Sequence, residues 1–167
     1  MDKNSDSLKV LLVGDGGVGK TSYVRRLGTG TFTSIYNSTI GVEIHPLEIP
    51  TKNGDVKLDI WDTAGQEKLG PLRDKYYYDA DFAIIMFDLC SRITLTNVPR
   101  WVNDISRVCN GGIPTILIGN KADRADRKVT QSHKIQQGST DFLAYFETSV
   151  KNNININEPI RLLLDQI

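Results

Sequence analysis

Residues 14–21 read Gly-Asp-Gly-Gly-Val-Gly-Lys-Thr, and that octet restricts the fold more than anything else in the chain. A G-x-x-x-x-G-K-[ST] run binds phosphate when it joins a strand to a helix, so that backbone N–H groups and the helix N-terminus face one anion. Both flanks comply: Val10-Leu11-Leu12-Val13 reads as an apolar strand and residues 20–28 as the helix. Gly14, Gly16, Gly17 and Gly19 lack the Cβ that would hold the backbone off the phosphates. Lys20 brings a point charge to the outer phosphates, and the Thr21 hydroxyl is a hard oxygen ligand suited to Mg²⁺.

The remaining elements alternate in type, which points to an α/β fold with a mostly parallel sheet. Residues 29–41 are rich in Thr, Ser and Gly without periodicity and read as a loop. Runs 42–49 and 55–61 flank Asn53-Gly54, a hairpin-turn signal, and the second alternates Val56, Leu58 and Ile60 with Lys57 and Asp59. Phe82 to Phe87 is continuously apolar, as a strand covered on both faces should be. Val98, Trp101, Val102, Ile105 and Val108 keep helical spacing, and Ile113 to Ile118 form another strand. A weaker helix is expected over 129–137 and a last strand over 142–146. A short C-terminal helix carries Ile160, Leu163, Leu164 and Ile167, with Pro159 near its start. Trp61 and Trp101 read as packing residues.

With 40% hydrophobic and 24% charged residues the composition is globular. A single domain is expected over 8–167 behind a polar, flexible 1–7. Twenty basic residues balance twenty acidic ones, so no global field favours direct nucleic-acid or membrane binding. Cys90 and Cys109 lack metal-type spacing, and a reducing compartment is the simplest reading. Asp2 stands where myristoylation needs glycine and no cysteine lies near Ile167, so no lipid anchor is expected.

A phosphate loop alone does not separate ATP from GTP chemistry, or a kinase from a switch. Asp62-Thr63-Ala64-Gly65-Gln66-Glu67 follows the 55–61 strand. An aspartate there can hold the surroundings of Mg²⁺, a glycine N–H can reach the terminal phosphate, and Gln66 can orient an attacking water. In isolation the same hexapeptide is an acidic turn. Asn120-Lys121-Ala122-Asp123 follows the next strand. A carboxylate accepting two N–H bonds matches the N1–H and exocyclic amine of guanine, an edge adenine does not offer. In isolation that tetrapeptide is a helix-capping loop. Ser149-Val150-Lys151, after the last strand, can present a backbone N–H to the guanine carbonyl.

In this order and spacing these segments resemble a small GTPase of the Ras superfamily, across roughly residues 8–165. The resemblance implies a doubly wound α/β P-loop G domain, with about six strands, one antiparallel edge hairpin, and about five helices. It implies GTP/GDP and Mg²⁺ as cofactors. Nucleotide contacts would come from Gly16, Gly17, Val18, Gly19, Lys20, Thr21, Ser22, Thr39, Gly65, Asn120, Lys121, Asp123, Ser149, Val150 and Lys151. Thr21, Thr39 and Asp62 would serve the metal, and Gln66, Lys20, Thr39 and Gly65 catalysis, with Tyr36 restraining Gln66. Residues 62 to about 75 would form the second switch.

Within the superfamily the chain is most similar to the Ran branch of nuclear-transport GTPases. That flavour lies in Gly41-Val42-Glu43-Ile44-His45-Pro46-Leu47, in Trp61-Asp62-Thr63-Ala64-Gly65-Gln66-Glu67-Lys68 and in Leu72-Arg73-Asp74-x-Tyr76-Tyr77. It recurs in Asn97-Val98-Pro99-x-Trp101 and Asp126-Arg127-Lys128-Val129. The branch has an aromatic where Leu69 stands, with Pro71 nearby, a Lys-rich stretch where Thr33-Ser34-Ile35 follows Phe32, and alanine where Val150 stands. Its basic cluster is reduced to His133 and Lys134, and an acidic tail does not follow Ile167. Implied partners are an exchange factor, an activating protein and importin- or exportin-like effectors, bound by a monomer shared between nucleus and cytoplasm. No residue announces itself as a built-in arginine finger. Intrinsic turnover on the order of 10⁻⁴ s⁻¹, raised up to about 10⁵-fold by an activator, is the matching expectation. Open alternatives are a switch of the Rab- or Ras-like branches, a GTP-dependent scaffold that hydrolyses poorly, and a P-loop kinase or ATPase.

Overall fold

A computed structural model describes residues 6–30, 41–63, 70–130 and 142–167. Along the chain run β1 (Leu8–Val13), α1 (Lys20–Thr29), β2 (Val42–Thr51), β3 (Gly54–Thr63), α2 (Gly70–Tyr77), β4 (Phe82–Asp88) and α3 (Arg92–Thr96). They are followed by α4 (Val98–Val108), β5 (Thr115–Asn120), β6 (Ala144–Glu147) and α5 (Glu158–Leu164). The strands form one six-stranded sheet in the order β2-β3-β1-β4-β5-β6. Only β2 and β3 pair antiparallel; the other neighbours are parallel. The expected doubly wound α/β sheet with an edge hairpin is therefore observed.

β1 lies between β3 and β4, and its side-chain alternation divides the core. Val10 and Leu12 pack on one face with Tyr23 and Val24 of α1 and Ile160 and Leu163 of α5. Leu11 and Val13 pack on the other with Tyr77 of α2 and Val98, Trp101 and Ile105 of α4. All seven residues of β4 are buried, which is why that stretch reads as an unbroken apolar run. The parallel strands β1, β4 and β5 point their carboxyl ends the same way. The order in which strands are added changes side at β1, the position where sheets of this kind bind ligands.

The loop after β1 needs glycine for two separate reasons. Gly14 has φ 145°, and a Cβ there would sit 2.2 Å from the Met86 carbonyl oxygen. Gly19 caps α1 with φ 105°, and its Cβ would meet Asn120 Nδ2 at 2.3 Å. The first contact lets the loop leave β1 tight against β4; the second lets Asn120 reach across.

Several expected boundaries move. The hairpin turns at Lys52-Asn53, because Thr51 pairs with Gly54; the positive φ falls on Gly54, at 114°. The Thr51 hydroxyl closes this turn by donating to the Gly54 carbonyl (2.6 Å) and accepting from the Asn53 N–H (3.2 Å). β5 starts at Thr115 because Pro114 has no N–H to give a ladder, although its carbonyl accepts from the Ala83 N–H at 3.1 Å. β6 begins at Ala144 rather than 142 and runs to Glu147. Where a helix was expected from 129, Val129 lies in no helix, is only 2% exposed and donates its N–H to the Leu89 carbonyl at 2.9 Å. Residues 131–137 of that expected helix lie outside the described residues. Helices α2 and α3 were not anticipated.

Candidate functional site

The loops after β1, β5 and β6 meet the last residues of β3 at the carboxyl edge of the sheet, tied to one another by side-chain hydrogen bonds. Asn120 is the centre of that knot and is 3% exposed. Its Nδ2 donates to the Val18 carbonyl at 2.9 Å. Its Oδ1 accepts from the Thr148 hydroxyl at 3.0 Å and from the Val150 N–H at 3.3 Å. One amide thus binds the glycine-rich loop to the loop after β6.

Lys121 reaches the same way. Its Nζ donates to the Gly17 carbonyl (2.9 Å) and pairs with Asp88 Oδ2 (2.7 Å), so the ammonium lies along the glycine-rich loop. The backbone at Lys121 takes φ 69°, a left-handed turn that sends Asp123 back towards β6. There Asp123 Oδ1 accepts from the Ser149 hydroxyl at 2.7 Å. Ser149 in turn accepts from the Asn152 N–H at 3.0 Å, so its proton is committed to Asp123.

Lys20 is 6% exposed. Its Nζ donates to the carbonyls of Gly14 (2.7 Å) and Asp15 (2.8 Å). Burial lowers its pKa to about 8, against the opposing pull of Asp62 and Asp15. An ammonium held this way is short of negative charge, and a phosphate would supply it.

Next along α1, the Thr21 hydroxyl donates to Asp62 Oδ2 at 2.5 Å. Asp62 is 0% exposed, and its buried Oδ1 has no hydrogen-bond partner among the described residues. Burial raises its pKa, with the Thr21 hydrogen bond and the Lys20 charge opposing. The Thr21 hydroxyl beside the Asp62 carboxylate is a pair of hard oxygen donors, so this pair fits Mg²⁺. Thr63, adjacent, anchors the strand end by donating to the Leu12 carbonyl at 3.0 Å.

Of the expected site residues, Gly16, Gly17, Val18, Gly19, Lys20, Thr21, Ser22, Asp62, Asn120, Lys121, Asp123, Ser149, Val150 and Lys151 lie in these four segments. Thr39, Gly65 and Gln66, with Tyr36, fall outside the described residues. Two further residues belong to the site without having been read from the sequence. Arg26 of α1 donates through Nε and Nη2 to the Val150 carbonyl (3.0 and 2.9 Å) and through Nη2 to the Lys151 carbonyl (2.9 Å). Asp15, inside the glycine-rich loop, accepts from Asn97 Nδ2 at 2.7 Å and from the Trp101 indole N–H at 3.0 Å. Arg26 lies one helical turn beyond Ser22, a weak sequence signal. The Asp15 partners are 82 and 86 residues away, and no local pattern links them.

Such a cradle, with a buried lysine, a buried amide and a carboxylate oriented from one side, suits a polyphosphate at one end and a hydrogen-bonding base at the other. The Ras family model matches residues 9–167 of the chain.

Proposed function

The chain belongs to the Ras family, and from that premise we propose that it is a Ran-like small GTPase switch in nucleocytoplasmic transport. Family membership carries guanine-nucleotide binding, Mg²⁺ and regulation by exchange factors and activating proteins.

In that reading Lys20 and the loop N–H groups of 16–19 bind the phosphates, with Ser22 beside them. Asp123 accepts the two base-edge donors, while Asn120 and Lys121 hold the phosphate and base loops in register. The N–H of Val150 turns from Asn120 Oδ1 towards the base carbonyl, and Lys151 follows it. Thr21, Asp62 and Thr39 are the residues that would hold Mg²⁺, whose chemistry is to offset charge between phosphate oxygens. Gly65 and Gln66 would respectively meet the terminal phosphate and orient the water. Loss of that phosphate then releases the segments carrying Thr39 and Gln66, and partner affinity changes.

The observation that carries the Ran-like part is how its signature segments touch. Asn97 and Trp101 both donate to Asp15. Arg73, 8% exposed, lies 5.3 Å from the Trp101 ring and 3.2 Å from Asp104. Asp74 receives a two-pronged contact from Arg107 (2.7 and 2.8 Å), which also draws the Asp74 pKa down. The phosphate loop, α4 and α2 are thereby clasped into one unit through residues of the Leu72–Tyr77 and Asn97–Trp101 segments. Asp126-Arg127 belongs to a neighbouring cluster, where Arg127 grips both oxygens of Glu147.

The test compares protein loaded with GDP and with a non-hydrolysable GTP analogue for capture of purified importin- and exportin-type receptors. Preferential capture by the analogue form is expected; equal or absent capture in both forms overturns the transport reading while leaving the GTPase assignment intact.

Asp15→Ala should speed GDP release about tenfold. It strands the Trp101 N–H inside the core, a loss of roughly 1.5–3 kcal/mol for a hydrogen bond to a charged group. Release of a fluorescent GDP analogue, chased with excess GDP, measures it. An unchanged rate would mean that the α4 contact does not set the loop's conformation.

A further inference from the structure

We propose that Glu43, His45 and Asp62 form a second divalent-cation site, suited to Zn²⁺, on the β2–β3 ladder. The proposal rests on these side chains and not on the transport reading. Glu43 is directly opposite Asp62 in the antiparallel register, and His45 lies two residues along β2 from Glu43. The two-residue period of a strand therefore places all three side chains on one face. One ligand atom from each lies within 4.8 Å of the others.

Two of those ligand atoms are buried and make no hydrogen bond among the described residues. His45 Nε2 makes no hydrogen bond and lies 3.4 Å from Glu43 Oε2. Asp62, 0% exposed, leaves Oδ1 without a partner. Burying such atoms unpaired is costly, and a cation would satisfy both together. Zinc takes nitrogen and oxygen ligands at about 2.0–2.2 Å, so the three atoms must draw in by roughly an ångström. Glu43 has the freedom to close that gap, its side chain being 47% exposed.

An imidazole with two carboxylates favours Zn²⁺ over Mg²⁺, which prefers an all-oxygen, water-rich shell. Two carboxylates with a neutral imidazole also balance the 2+ charge. The Asp62 carboxylate would then serve two centres: Oδ2 stays on the Thr21 hydroxyl while Oδ1 faces the ladder. Zinc at this site is therefore coupled to the end of α1.

The experiment uses the full chain loaded with GDP in millimolar Mg²⁺, titrated with Zn²⁺ against a chromophoric chelator. One equivalent should bind. His45→Ala and Glu43→Gln should each weaken uptake at least about tenfold, as loss of a direct ligand costs no less than loss of an outer-shell partner. A Cys90→Ser/Cys109→Ser variant should retain it. Zinc should change the GDP release rate of the parent protein but not of His45→Ala, with circular dichroism confirming both are folded. Equal uptake by the parent and both ladder variants overturns the proposal. So does stoichiometric displacement by millimolar Mg²⁺, which would assign the atoms to the magnesium site. Failure of nucleotide loading would instead count against the GTPase reading, and the zinc titration on unloaded protein would still report on His45.

Discussion

Asp123→Asn is expected to lower GTP affinity by about 10²–10⁴-fold and to make XTP the preferred nucleotide, since two hydrogen bonds to a charged acceptor, at roughly 1.5–3 kcal/mol each, are exchanged for a donor facing donors. The surroundings of Asp123 decide how well the variant performs. Ser149 donates its only hydroxyl proton to Asp123 Oδ1 while accepting from the Asn152 N–H. An asparagine must therefore turn its oxygen to Ser149, which leaves the amide NH₂ on the other branch. Xanthine carries a carbonyl where guanine carries its amine, so that NH₂ meets an acceptor. Ser149→Ala in the Asp123→Asn background should blur the preference by freeing the amide to rotate. Competition of GTP, XTP and ATP against a fluorescent guanine nucleotide measures the order. A variant that still prefers GTP would remove Asp123 from base recognition.

What could be read from the chain was its local chemistry. The octet at 14–21 was legible because four glycines, a lysine and a threonine between a strand and a helix form a local pattern with a phosphate-binding mechanism. The Phe82–Phe87 run was legible because a strand covered on both faces needs no polar residue. Trp101 was read as packing, which its 1% exposure bears out. Its indole N–H contact with Asp15 was not legible, because such a partner depends on how α4 crosses the sheet. Arg26 has the same explanation: the acceptors it reaches across the site are backbone carbonyls at 150 and 151, and carbonyls leave no trace in a sequence. Helix α2 escaped notice because its eight residues, Gly-Pro-Leu-Arg-Asp-Lys-Tyr-Tyr, carry no apolar stripe. Its hold on the fold comes from Tyr77 in the core and from the Arg73 and Asp74 contacts with α4. Asn120 reads as a nucleotide-binding residue, and the structure adds that its amide joins three loops, which the sequence does not show. Its substitution would act on the nucleotide through the cradle's shape.

Lys20→Met should reduce GDP affinity about 10²–10⁴-fold, from loss of charged hydrogen bonds to phosphate at roughly 1.5–3 kcal/mol each, yet leave the nucleotide-free protein as stable as the parent or more so. The two effects part because Lys20 is held against its own preference. Its pKa is lowered from 10.5 to about 8 by burial, a gap worth roughly 3 kcal/mol. Below pH 8 the empty protein bears that cost, offset by the carbonyls of Gly14 and Asp15. Between about 8 and 10.5 the unfolded chain keeps a proton that the folded, empty protein has lost. Stability of the empty parent therefore rises with pH across that window, and this rise should be absent in Lys20→Met. Bound phosphate reverses the preference and keeps Lys20 charged, so binding takes up a proton. GDP affinity should accordingly fall by up to about tenfold per pH unit above pH 8. Calorimetry at pH 8.5 in buffers of different ionisation enthalpy should register that uptake for the parent and lose it in Lys20→Met. A parent protein that binds GDP with no proton exchange at pH 8.5 would show that Lys20 is already fully charged in the empty cradle, and the gain in stability predicted for the methionine variant would disappear with it.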